Sequence, residues 1–379
     1  MNNLSAVPLH GPPSSAPLWF FGDRNEFRQL VTTGTVLELL TVGFYRFWLA
    51  TDIRRHLWSN TTLEDDPFEY TGRGKELLIG FLFALAIIVP VYLAYFLVGI
   101  EAERIRTFAS FPLIAFFYVF GQFAIYRARR YRLTRTVWRG VRFWMTGSGW
   151  GYAARSALWL VATMLTLGLM LPWRQAALER YKMRHTYYGD LQASFAGRGT
   201  ELFRKIWWLW LLTPVALVVF PLLPFLYAAF KAMEWRWWIS GIRFGRVRLQ
   251  STLPRNALIT LYWKTTGWFL LLSIGFGLYL FFCPALVGSV QGMSLDQSFA
   301  PGALSNSIPL LVMMGFGYIV WLLALNIVVR VYLLRDAWTA IVNSTIVHGV
   351  EAAADVYVTG DLATALGEGF ADGLDVAGL

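Results

Sequence analysis

Long apolar runs almost free of charge are the feature that most constrains this chain. A helix that crosses a bilayer needs about 20 predominantly apolar residues, and four runs predict such helices: 77–99, 111–126, 267–288 and 308–334. Of the 379 residues, 56% are hydrophobic and 15% are charged, against about 45–50% and about 25% in soluble domains. The chain is therefore predicted to be a membrane protein rather than a soluble cytosolic or secreted one.

Three further apolar runs are weaker. Run 31–50 carries Glu38 and Arg46, run 157–173 is short, and run 206–230 contains three prolines. Proline removes a helical hydrogen bond and kinks the chain. Two alternatives stay open: these runs span the bilayer, or they enter it and return as re-entrant elements, which would place far more Lys and Arg on one side.

The chain also resembles itself at a shift of about 125 residues. Leu40-Thr41-Val42-Gly43 falls on Leu165-Thr166-Leu167-Gly168, and 72–77 falls on 197–202 with the pattern Gly-Arg-Gly-x-Glu-Leu. A third, divergent unit begins near Gly241. The predicted organisation is a disordered tail over 1–16, repeats over 17–141 and 142–240, a partial repeat over 241–337, and an acidic cytoplasmic tail over 338–379.

These patterns predict an all-α polytopic membrane protein with two to three internal repeats. We expect four clear transmembrane helices, three weaker spanning or re-entrant elements, and short extended segments in the cytoplasmic loops. The net charge of +10 fits basic cytoplasmic loops facing anionic lipids. No nucleic-acid-binding module accompanies that charge, so membrane lipids, and not nucleic acid, are the predicted partners.

Several of the same motifs carry a family resemblance. They are Trp-x-Gly-Val-Arg-Phe at 138–143, Leu-Thr-Leu-Gly with Pro-Trp at 165–173, and the glycine-rich acidic ending at 367–376. Together they resemble the YjgN family of bacterial inner-membrane proteins, a domain of unknown function. The resemblance implies a multi-pass protein of the inner membrane and supplies no reaction or catalytic residues. One departure is Phe47, where the second copy has Pro172 before Trp173 as family members commonly do.

Catalytic and metal-binding signatures are missing from the sequence. It contains no phosphate loop, no His-Glu-x-x-His helix and no Gly-x-Ser-x-Gly elbow. One cysteine and four histidines do not form a recognisable ligand set. We therefore predict no catalytic, cofactor-binding or metal-binding residues and a non-enzymatic protein.

Glu38 is the candidate intramembrane acid, because an ionisable side chain within an apolar run is costly and by default marks function. Its counterpart in the second copy is Thr163, which argues against an essential role. The alternatives are a functional carboxylate and a structural residue paired with Arg46 or with a cation on another element.

The repeated Gly-Arg-Gly-x-Glu motifs have two interpretations. Their glycines form a turn and the glutamate suits the positive end of the next helix, or their arginines bind lipid phosphate at the cytoplasmic interface. The candidate residues are Arg54, Arg55, Gly72, Arg73, Gly74, Glu76, Arg180, Arg184, Gly197, Arg198, Gly199 and Glu201.

For function, the leading hypothesis is non-enzymatic transport or the handling of lipids or small solutes, an argument from architecture. The alternative is a membrane scaffold with a basic cytoplasmic face, and an enzyme acting on lipid is less supported. A continuous polar cavity between the first two repeats would favour transport. A solid apolar interior would favour the scaffold.

Overall fold

The structure is a computed structural model that describes residues 15–103, 111–219, 223–299, 307–354 and 356–360. The predicted N-terminal tail lies outside the described residues up to position 14. The same holds for two other acidic positions of the predicted tail, Asp355 and Asp361, and for the glycine-rich acidic ending at 367–376, which includes Glu368 and Asp372.

Within the described residues, ten short antiparallel strands form a closed barrel. The strands follow one another around the barrel in chain order, and β1 closes it by pairing with both β2 and β10. They are β1 Ser15–Phe20, β2 Thr61–Leu63, β3 Asp66–Tyr70, β4 Thr136–Trp138, β5 Val141–Met145, β6 Thr186–Tyr188, β7 Leu191–Phe195, β8 Ile242–Phe244, β9 Val247–Ser251 and β10 Thr345–His348.

The barrel overturns the prediction of an all-α fold. The segments expected to be extended stretches in cytoplasmic loops are strands of one sheet. Each is three to six residues long, so its alternation of buried and exposed positions is too short to stand out beside apolar helices several times longer.

Two-residue turns join the strands at one end of the barrel. The turn between β2 and β3 holds Glu64 and Asp65 at φ 52° and 66°, and the turn between β4 and β5 holds Arg139 and Gly140 at φ 49° and 75°. Two successive positive φ values are the type I′ geometry, whose twist matches that of the flanking strands. The turns β6–β7 and β8–β9 have the same length.

Helical hairpins join the strands at the other end. Because each hairpin connects two antiparallel neighbours, it must leave and re-enter the barrel at the same end. The helices are α1 Arg24–Leu40, α2 Arg46–Ser59, α3 Gly74–Glu103, α4 Phe111–Thr134, α5 Gly149–Leu165, α6 Leu171–Arg184, α7 Gly199–Val218, α8 Leu223–Gly241, α9 Ile259–Val290, α10 Leu295–Ser298, α11 Ile308–Val328 and α12 Arg335–Asn343. A π-helical turn, Val329–Leu334, joins α11 to α12.

The interior of the barrel is a packed apolar core. Leu63, Trp138, Tyr188, Val247 and Val347 each come from a different strand and are all less than a tenth exposed. A short 3₁₀ helix, Val350–Ala353, packs into the same cluster after β10. The barrel is therefore a solid core and not a pore.

Three helical segments of the described chain are long and apolar enough to cross a membrane: Gly74–Leu97, Ile259–Val290 and Ile308–Asn343. The prediction of four clear transmembrane helices is therefore corrected. The run 111–126 forms the first part of α4, but Arg127, Arg129, Arg130 and Arg132 follow in the same helix, and only the short segment before them is apolar.

The weaker runs 31–50 and 157–173 each fold as two helices joined by a tight turn, α1–α2 and α5–α6. Their tips present large apolar side chains outward: Val42 is 87% exposed and Leu167 is 81% exposed. Run 206–230 falls on α7 and α8, whose connection at 220–222 lies outside the described residues. The range 17–141 predicted as the first repeat contains two hairpins, and so does the range 142–240 predicted as the second.

Candidate functional site

The Leu-Thr-x-Gly motif builds the tip of both short hairpins. The Thr41 hydroxyl donates to the carbonyl of Leu37 and accepts from the amide of Tyr45, so it closes one helix and opens the next. Gly43 follows at φ 86°, and its amide donates to the Glu38 carbonyl at 2.7 Å. Thr166 and Gly168 repeat these bonds in the second hairpin. The motif is thus a helix-ending turn that points apolar side chains outward.

Glu38 lies one turn before the first tip and faces Arg330 of the π-helical turn. Glu38 Oε2 is 3.9 Å from Arg330 Nη1, and both side chains are about one-fifth exposed. The partner is therefore a cation on another element, one of the alternatives left open by the sequence, and not Arg46. π-helical turns are rare and often occur at functional sites.

Polar atoms without hydrogen bonds surround this ion pair. Glu38 Oε2 is buried and lacks a hydrogen-bond partner, as do Thr35 Oγ1 one turn earlier in α1 and Asn326 Oδ1 one turn before Arg330. Thr163, the counterpart of Glu38, instead donates to the Trp159 carbonyl at 2.7 Å. The polar site between α1 and α11 is therefore specific to the first hairpin.

Glu76 pairs with the following hairpin helix rather than with Arg73. Its Oε2 accepts hydrogen bonds from Tyr131 Oη at 2.8 Å and from Arg135 Nη2 at 2.8 Å. Arg135 is nearly buried. Among the residues that the structure describes, none forms such bonds with Glu201, which is exposed, so the two copies of the motif use the same glutamate differently.

The glycines of these motifs are accounted for by close approach. A Cβ on Gly74 would lie 2.9 Å from Trp48 Cα, and one on Gly199 would lie 2.8 Å from Trp173 Cα. Gly72 and Gly197 similarly lie against the rings of Tyr70 and Phe195. Only glycine lets two backbones pack this closely.

The six candidate arginines do not converge on one site. Arg54 is buried and donates to Tyr70 Oη, whereas Arg55 binds Asp52 and the carbonyl of Gly72. Arg180 donates to the Ala176 carbonyl within its own helix. The remaining three are exposed: Arg73, Arg184 and Arg198.

An apolar groove lies beside the second short hairpin. Its volume is about 280 Å³, and its walls include Leu171 and Pro172 of α6, Trp207 and Trp210 of α7, and Phe230 of α8. Trp207 and Trp210 are each nearly half exposed. The sequence gives no sign of this groove, because its walls come from three separate helices.

Comparison with known protein families assigns the chain. The family described as "Bacterial protein of unknown function (DUF898)" matches residues 15–235, more than half of the chain. The chain belongs to the DUF898 family. The match confirms the resemblance to the YjgN proteins. No curated protein and no solved structure matches it.

A buried charge cluster ties three helices of the DUF898 chain together. Glu179 and Lys182 of α6 form an ion pair, and Trp238 of α8 donates to Glu179 at 2.8 Å. Burial opposes charge on Glu179, but Lys182 and Arg129 outweigh it and hold its pKa below the usual value. Burial and the charge of Arg129 lower the pKa of Lys182, against the attraction of Glu179. The cluster gathers more cations than anions.

Among the residues of the DUF898 chain that the structure describes, no three His, Cys, Asp or Glu side chains are placed to hold a metal ion. Cys283 is buried. Between the first two predicted repeats, α4 meets α5 through an apolar cluster that includes Phe123 and Ala153. A polar network lies beside it, in which the hydroxyls of Tyr118 and Ser156 are 2.9 Å apart and Arg174 donates to Tyr118.

Proposed function

We propose that this protein handles membrane lipids without chemical reaction, by holding a lipid acyl chain in the groove between the second short hairpin and α7–α8. The apolar groove of about 280 Å³ carries the proposal. Its volume is close to the lower end of the range of ligand pockets, about 300–1,000 Å³.

The character of the groove walls favours an acyl chain. Leu169, Trp207, Trp210 and Tyr227 line the groove and are all substantially exposed, so it opens on an apolar surface. Tryptophan and tyrosine prefer the boundary between acyl chains and headgroups, which suits a site at the edge of the bilayer.

A multi-pass arrangement in the bacterial inner membrane, with the barrel and the C-terminal tail in the cytoplasm, belongs to the same proposal. Three apolar helices support association with a membrane. The barrel turns carry charged residues, among them Arg139, Asp190 and Arg246, which suits an aqueous location.

A scaffold is the second candidate, because an apolar cluster packs part of the contact between the first two predicted repeats and the polar side chains beside it, such as Tyr118 and Ser156, bond to each other. The barrel interior is also packed. Transport through the centre of the barrel is therefore not proposed.

A groove-filling substitution tests the acyl-chain proposal. Thr213 lines the groove and is exposed, so Thr213→Trp should occupy its volume without disturbing the core. Leu212→Trp is the matched control, since Leu212 directly precedes Thr213 in α7 and does not line the groove. We expect cross-linking to a phospholipid with a photoreactive acyl chain to fall several-fold in Thr213→Trp alone. Equal cross-linking in both variants would favour the scaffold.

A further inference from the structure

A second pocket lies between the α7–α8 hairpin and the loop after β9. Its volume is about 180 Å³, and its floor is formed by Ala232, Met233 and Leu253, which are almost fully buried. Three cationic side chains surround this floor: Lys205 of α7, Arg236 of α8 and Arg255 of the loop. The pocket shares no residue with the acyl-chain groove.

The three cations have no compensating partner at the pocket. In the described part of the chain, no hydrogen bond or ion pair joins any of these side chains to another residue, and none of the six lining residues is acidic. Some arginines of this protein are paired, as Arg55 is with Asp52 and Arg135 with Glu76. What distinguishes the trio from other exposed arginines, such as Arg73 and Arg184, is that its three cations converge on one pocket.

The pKa of Lys205 reflects the closeness of the other two cations. Burial lowers the pKa of its ammonium, and the positive charges of Arg236 and, less strongly, Arg255 lower it further, against the attraction of Glu201. Like charges held together disfavour their own charged forms. A bound anion would reverse this penalty, because it would supply the missing opposite charge.

We propose that Lys205, Arg236 and Arg255 form a binding site for a phosphate group. Arginine and lysine are the side chains that bind phosphate oxygens through charge-assisted hydrogen bonds. The pocket is several times larger than the ~30 Å³ share of one water, so an oxyanion fits it better than a single-atom ion. The phosphate comes from an anionic phospholipid headgroup or from a small soluble phosphate compound.

Substitution of each cation tests the site in the full-length protein. We expect Arg236→Gln and Arg255→Gln to weaken phosphate binding about tenfold each, and Lys205→Gln to do the same. Arg204→Gln is the matched control, because Arg204 adjoins Lys205 in the exposed part of α7 and does not line the pocket. Arg255 lies in an exposed loop, so its variant reads out binding even if a helix variant folds poorly.

Two probes separate the sources of phosphate. Calorimetric titration with inorganic phosphate measures the soluble form, and retention of phosphatidylglycerol from nanodiscs of phosphatidylcholine and phosphatidylglycerol measures the lipid form. Loss of either signal in the three pocket variants, with Arg204→Gln unchanged, supports the site and names its source. Equal binding by wild type and all pocket variants to both probes would overturn it.

Thermal unfolding provides a readout that a purely structural role would not produce. In phosphate-free buffer we expect Lys205→Gln to raise the Tm or leave it unchanged, because it relieves repulsion. Added phosphate should raise the Tm of wild type and of Arg204→Gln but not that of Lys205→Gln. A lower Tm for Lys205→Gln with an unchanged response to phosphate would contradict the site. The outcome is independent of the groove test with Thr213→Trp.

Discussion

At the scale of single residues, burial decides what the charged side chains of this protein do. In the sequence, Glu38, Glu76 and Arg54 are all simply charged residues. In the structure, Arg54 is buried, whereas Glu76 forms an ion pair with the nearly buried Arg135. The sequence predicted Glu38 as an intramembrane acid but not Arg330 as its partner. That pairing joins residues far apart in the chain, which local pattern cannot specify.

Glu76→Gln tests the copy of the repeated glutamate motif in which the glutamate pairs with a nearly buried arginine. The substitution leaves Arg135, whose side chain is 8% exposed, without its carboxylate, so we expect a loss of about 2 kcal/mol in the free energy of unfolding. Glu201→Gln is the control from the other copy. Because Glu201 is exposed, that loss should stay within about 0.5 kcal/mol. Chemical unfolding in detergent measures both, and equal losses would contradict the assignment.

His56 should make the stability of the protein depend on pH. Burial lowers the pKa of this imidazole, and Arg335 lowers it further, against Glu26. The unfolded chain then binds more protons than the folded one, so stability is lost as the pH falls below about 6.5.

We expect the Tm to drop between pH 7.5 and pH 5.5 in wild type and to drop less in His56→Gln. The control is His348→Gln, which alters a partly exposed histidine hydrogen-bonded to Gln250 and should retain the wild-type response. An unchanged drop in His56→Gln would assign the pH dependence to other groups.

At the scale of elements, the helices were far easier to predict than the strands. The runs within α3, α9 and α11 are apolar over enough residues to be recognised. A three-residue strand such as Thr61–Leu63 carries too few positions for a period to emerge, and its partners are set by closure of the whole sheet. The Leu-Thr-x-Gly repeat was visible in the sequence, but its role as a hairpin tip required the bonds of Thr41 and Gly43.

Glycine-to-alanine substitutions test the geometry of the hairpin tips. Gly43 has φ 86° and open space around its missing Cβ, so Gly43→Ala should cost about 1 kcal/mol through backbone strain alone. Gly121 also has open space but lies inside α4. Gly121→Ala should therefore stabilise the protein by about 0.5–1 kcal/mol. Thermal unfolding of both variants checks the opposite signs, and a stabilising Gly43→Ala would exclude the described turn.

At the scale of the whole molecule, the sequence predicted helices apolar enough to cross a membrane but did not predict the barrel. Composition and the apolar runs were sufficient to predict these helices, because both depend only on how many apolar residues a segment contains. The barrel depends on the pairing of β1 with β10, as between Ser15 and His348, and on the return of five hairpins to the same end of the barrel. No local pattern encodes such long-range closure.

The closed barrel predicts that all strand turns lie on one side of the membrane. Single cysteines placed at Glu64, Arg139, Asp190 and Arg246, in a Cys283→Ala background, should all react with a membrane-impermeant maleimide from the same side. The inner-membrane proposal expects that side to be the cytoplasm, so labelling should require broken spheroplasts. A turn that reacts from the opposite side would contradict the barrel, whereas uniform labelling of intact spheroplasts would contradict only the orientation.

The seam between β1 and β10 also sets an order of events during synthesis. β1 leaves the ribosome long before β10, so the edge of β1 that pairs with β10 stays unpaired while the intervening hairpins are translated. An unpaired edge can capture another strand and lead to aggregation. Early insertion of the apolar hairpins would confine the growing chain at the bilayer surface, where the first strand is kept near the place at which the last one arrives.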